Sequence, residues 1–255
     1  MFDLDVLDDC DKMLNRYESL FLDRVVASGQ VQDAPAVMLQ RGLAFGRETL
    51  KAMRLLLSEG NYALQACAVC RGLFEIAIRL LWASRAPDGW PRLHRHWCQE
   101  EVKWAERAAE TPHMRVPAEA ILESSRQALA QLNASSQRGT QAAPGMRETL
   151  LEIEQHNAAE APSHDQQRFA KFSYPNIWLV LCWAAHAHIE ALDLSHPEAH
   201  IRWRGQAVYA TVMAVWALVE TFCHVMRDDV ARAGEPVLEL LERLGAGYRQ
   251  ALGAE

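Results

Sequence analysis

Several signatures are missing from this sequence, and each absence narrows it. There is no Gly-x-Gly-x-x-Gly, no Gly-x-x-x-x-Gly-Lys loop and no Gly-x-Ser-x-Gly elbow, which removes the common dinucleotide, nucleotide and hydrolase signatures. No segment alternates apolar and polar residues at the period of a strand, so nothing predicts a sheet. No apolar run is long enough to span a bilayer. The longest, Ala207 to Val219, ends at Glu220 after thirteen residues and predicts a buried core helix. Positive charge is also short: the net charge of −7 argues against a dedicated nucleic-acid binder, which needs a basic surface to release counterions.

Cysteine is sparse. Of six, Cys67 and Cys70 form a Cys-x-x-Cys inside a helical pattern, and no second such pair exists to complete a four-ligand zinc site. The opening MFDLDVLDDCDKML is acidic where a secretory leader would be basic. The expectation is therefore a soluble cytoplasmic chain that does not enter a membrane, with its cysteines as reduced thiols in the core.

What is present is helical period almost throughout. With 255 residues and 50% hydrophobic content the chain sits at the upper end of what one core supports, and disorder is excluded. The pattern predicts a single all-α domain over 1–255, an antiparallel bundle of about eight or nine helices. N-terminal helices fill 1–132, a loop-rich connector 133–174, and C-terminal helices 175–252. Helices are expected over 2–28, 35–58, 62–84, 90–110, 118–132, 147–156, 177–192, 198–229 and 236–252. The helix 62–84, apolar almost all round, belongs at the centre, with 177–194 and 198–229 beside it.

Four constellations are candidates for chemistry. Arg71, Glu75 and Arg79 stand at i, i+4 and i+8 on the central helix, so they share one stripe. Buried charge is costly unless paired, so the stripe is either an ion-pair ladder on a polar seam or a pocket in which Arg71 holds an anion. His186, His188, His196 and His200 crowd one corner. There His186, Glu190 and Asp193 share a helix face as weak metal candidates, imidazole with carboxylate suiting zinc, iron or manganese; no metal or cofactor is expected outright. Arg92 and Arg95, between Trp90 and Trp97, and Arg202 and Arg204, flanking Trp203, are candidate RNA contacts. Trp90, Trp97 and Trp104 recur every seven residues, as core or as a stacking platform. Glu220, His224 and Arg227 share a face of a later helix, where a plain structural hydrogen bond is favoured over an oriented base.

Two of these places resemble an uncharacterised family of bacterial all-helical proteins. Cys70-Arg71-Gly72-Leu73-Phe74-Glu75 is similar to its Arg-x-Leu-x-Glu signature on a central helix. Leu194-Ser195-His196-Pro197-Glu198-Ala199-His200 is similar to its Leu-Ser-x-x-x-His signature, with the histidine one place later. That family in turn resembles the HEPN superfamily of RNases and toxin or phage-defence partners, which use Arg-x(4–6)-His on a helix. Only Arg107 to His113 has that spacing here, and it crosses Pro112. The resemblance implies a stress- or defence-associated module that binds a small ligand or a protein partner. Arg71, Glu75, His196 and His200 would line its pocket, and the catalytic residues stay unassigned. A metal-independent RNase and a metal-dependent bundle enzyme are the alternatives. A homodimer is also compatible, since long apolar helices can continue a bundle across a two-fold axis.

Overall fold

A computed structural model of the chain describes residues 2–28, 34–59, 62–111, 113–135, 141–160, 177–186 and 197–227, together with 236, 237, 239, 240, 242–244 and 246. Its helices are α1 Phe2–Ser28, α2 Ala34–Ser58, α3 Ala63–Arg85, α4 Gly89–Ala109, α5 Arg115–Ser135, α6 Met146–Glu160, α7 Leu179–Ala185 and α8 Pro197–Met226. Helical backbone recurs between 236 and 246, and no strand occurs among the described residues. The all-α bundle read from periodicity holds. Helix α5 begins three residues before its expected start, because Pro117 is tolerated in a first turn that needs no N–H donor there.

Helix α3 is innermost, packing against α2, α4, α6, α7 and α8. Its buried residues run most of the way round the helix, from Ala63, Leu64, Ala66 and Cys67 to Leu80, Leu81, Trp82 and Ala83, so only a narrow, half-buried stripe through Arg71, Gly72, Glu75 and Ile76 is left. It stops where Ala86 turns extended and Asp88 takes a left-handed conformation (φ 54°). Gly89 follows because a Cβ there would lie 2.5 Å from the Ala83 carbonyl oxygen. The turn closes only with the smallest residue, and it sends α4 back along α3.

Neighbouring helices among the first five run antiparallel. Arg54 pairs with Asp8 and Arg47 with Glu18 across α1 and α2. Gly42 faces Leu80 and Gly46 faces Leu73 across α2 and α3. Ser125 donates to Glu101, and Arg95 reaches the Leu132 carbonyl, across α4 and α5. Short connections leave little other choice. The most extensive pairing, α3 with α8, is parallel instead: Cys67 meets Trp203, Cys70 meets Thr211 and Arg85 meets Glu220. The long intervening chain makes that crossover possible.

Helix α8 passes the length and composition test for a membrane span over Ala199–Met226, with mean hydropathy 1.5, yet 78% of that window is buried inside the protein. Its apolar surface is used up by α1, α2 and α3, as expected of a core helix.

Candidate functional site

The charged stripe of α3 divides into two parts. Arg79 is 6% exposed; its Nε donates to Glu75 Oε1 at 3.1 Å and its Nη1 to the Pro144 carbonyl at 3.1 Å. This half is the ion pair on a polar seam. It ties α3 to the segment 141–145, which α4 grips as well: Ala143 N donates to the Arg92 carbonyl and Arg95 to the Gln141 carbonyl. The backbone groups of that segment are thus satisfied by side chains and loops in place of a ladder.

Arg71 is different. Glu75, one turn on, is engaged by Arg79, and among the described residues no carboxylate pairs with Arg71. Its guanidinium carbon lies over the Trp178 ring, 5.0 Å from the centroid, a cation–π contact that restrains the fork. Its Nε is buried without a hydrogen-bond partner. Its polar neighbour is the half-buried thiol of Cys182, which burial pushes up although Arg71 draws it down by charge and hydrogen bond. His96 of α4 flanks the Glu75–Arg79 end. Burial, then the positive charge of Arg79, holds its imidazole below the ordinary range, against the opposing pull of Glu100 and Glu75. An arginine fork restrained by an aromatic ring and lacking a counter-charge among the described residues is suited to receiving an anion.

Cys70, next to Arg71, touches Thr211 at 3.2 Å, and Cys67 reaches the Trp203 carbonyl. His200, in the first turn of α8, therefore lies two to three turns below Arg71, about 10–16 Å of helix rise. Its Nδ1 is buried without a partner. His186 is exposed in the turn after α7. His188, Glu190, Asp193 and His196 lie outside the described residues. Among the described residues no three His, Cys, Asp or Glu side chains gather as a metal site.

The basic stretches are largely structural. Arg95 is 2% exposed and donates to the carbonyls of Gln141 and Leu132, so it is withdrawn from any RNA contact. Arg204 donates to the Leu57 carbonyl at 2.6 Å, closing the end of α2. Arg92 lies over Trp82, 4.9 Å from the ring centroid. Arg202 is exposed. Trp90 and Trp97 pack on the core while Trp104 is 46% exposed, so the three tryptophans form no continuous platform. Arg107 and His113, at nuclease spacing, are both exposed on either side of the α4–α5 turn.

Cys67 and Cys70 are buried thiols; burial raises both, Cys70 to about 12. Thiols held that far from ionisation are poor nucleophiles near neutrality.

One polar centre escaped the sequence reading. Glu220 and His224 do share a face, but their partner is Arg85 at the end of α3. Arg85 bonds the Glu220 carboxylate, and its Nε donates to His224 Nε2 at 3.3 Å. Arg227 leaves that face in a left-handed turn (φ 53°) at the end of α8. No local spacing signals an arginine 135 residues away; the only clue was charge at the end of an otherwise apolar helix.

No family model, curated protein or solved structure matches the chain.

Proposed function

We propose that this chain is a soluble, cytoplasmic, non-enzymatic binding module whose ligand presents an anionic group to Arg71. The observation that carries the reading is the guanidinium on α3, which lies over Trp178 and has no carboxylate partner among the described residues. A buried cation is ordinarily paired, and the rest of the stripe obeys that rule through Glu75 and Arg79. Leaving one fork open on the innermost helix costs stability, and anion binding explains its retention. The stress- or defence-associated setting implied by the family resemblance is compatible with such a module.

The nuclease alternative has less support. It needs an arginine and a histidine converging on one phosphodiester, whereas Arg71 and His200 sit at different levels of the α3–α8 pair.

The test is thermal unfolding of the full chain in acetate, phosphate or sulfate against chloride at matched ionic strength. At least one of the three should raise the midpoint saturably, as a ligand of the native state does, and Arg71→Met should remove the effect. An equal response in Arg71→Met would overturn the site. RNA cleavage that the Arg71→Ala, His200→Ala double variant loses would overturn the non-enzymatic reading.

A further inference from the structure

We infer that the anion Arg71 takes is the carboxylate of a small, singly charged organic acid, bound edge-on to the guanidinium fork. This rests on the anion-binding reading above and narrows it.

Three observations point the same way. The first is charge. In the α3 stripe Glu75 and Arg79 cancel as an ion pair, which leaves Arg71 as a single surplus positive charge. His96 adds nothing near neutrality, since burial and Arg79 favour its neutral form. The Cys182 thiol stays protonated for the same reason of burial. One negative charge balances the seam; the second charge of a phosphate dianion would be left uncompensated in a half-buried place.

The second is shape. The guanidinium carbon stands over the Trp178 ring, 5.0 Å from its centroid, which restrains the fork, and a carboxylate meets an arginine fork in the fork's own plane through two parallel N–H bonds. A tetrahedral oxyanion projects oxygens out of that plane and matches the fork with only two of them. The third is burial. The unpartnered Nε is the hidden edge of the fork. A ligand that satisfies it must shed its water, which costs a singly charged carboxylate less than a phosphate dianion.

The experiment is isothermal titration of the full chain near neutrality with acetate, benzoate, hexanoate and inorganic phosphate, repeated on Arg71→Met, Arg71→Lys and Trp178→Leu. At least one carboxylate should bind one to one, about tenfold or more tighter than phosphate. Arg71→Met should abolish that binding. Arg71→Lys keeps the charge and the fold but loses the fork, and should weaken it about tenfold. Trp178→Leu should weaken it too, because the ring that restrains the fork is gone.

Phosphate binding tighter than every carboxylate, and lost in Arg71→Met, would overturn the carboxylate assignment while leaving the anion site standing. Carboxylate binding equal in Arg71→Lys would overturn the edge-on geometry. No binding of any of the four would overturn both the assignment and the reading beneath it.

Discussion

Arg85 and Glu220, 135 residues apart, join the C-terminal ends of two helices that run in the same direction. Both side chains are almost wholly buried, at 5% and 8% exposure. The arginine also donates to His224, which therefore accepts at Nε2. The pair pins the parallel α3–α8 contact at the end opposite Cys67 and Trp203, so it fixes the axial register of the two innermost helices.

Removing one member should be costly. Arg85→Met leaves a buried carboxylate without its cation, and should lower unfolding free energy by about 3–5 kcal/mol. The Arg85→Met, Glu220→Leu double variant should recover much of that loss, because an apolar pair of similar volume no longer strands a charge. Urea denaturation of the three proteins checks it. Equal loss in the single and double variants would show that the pair is not what holds this end.

Thiol accessibility gives a second outcome. Cys10, Cys67, Cys70, Cys98 and Cys223 are buried and only Cys182 is partly exposed. Burial also pushes Cys10, Cys67 and Cys70 up, far from the thiolate that reacts. A maleimide pulse on the native protein, followed by peptide mapping, should label Cys182 first and the Cys67–Cys70 peptide only on unfolding. Early labelling of Cys67 or Cys70 would contradict the packing of α3 against α8.

His96 sets a third. Its imidazole is depressed below 6.5 by burial and by Arg79 and Lys103, against Glu100 and Glu75. The unfolded chain therefore binds the proton more readily than the folded one. The contribution of His96 is fully present above its unfolded value and is lost as pH falls through that value toward the folded one. Unfolding free energy should fall between about pH 7 and pH 5, and His96→Gln should flatten part of that slope. An NMR titration placing His96 at or above 6.5 would remove the effect.

The fold was legible because helical period is written locally. The apolar residues of α3 recur so densely that only a central position could bury them, and α3 does contact five other helices. The stripe Arg71–Glu75–Arg79 was visible for the same reason, since i, i+4 and i+8 fall on one face of any helix. What each member does was not visible. Glu75 stands one turn from both arginines, and its choice of Arg79 depends on the Pro144 carbonyl that holds the Arg79 guanidinium in place. Arg95 read as a surface cation until the carbonyls of Gln141 and Leu132 closed around it.

The sequence by itself determined that the chain is helical, which helix lies innermost, and that charge is carried on it. Those follow from periodicity and composition, which need no knowledge of distant neighbours. Only the tertiary structure decided that α8 runs parallel to α3, that Arg85 belongs with Glu220 and His224, and that Glu75 pairs with Arg79 and not with Arg71. Electrostatic partners are chosen by proximity in space. An arginine and a glutamate on different helices become a pair only when packing brings them together and removes the water that would otherwise screen them.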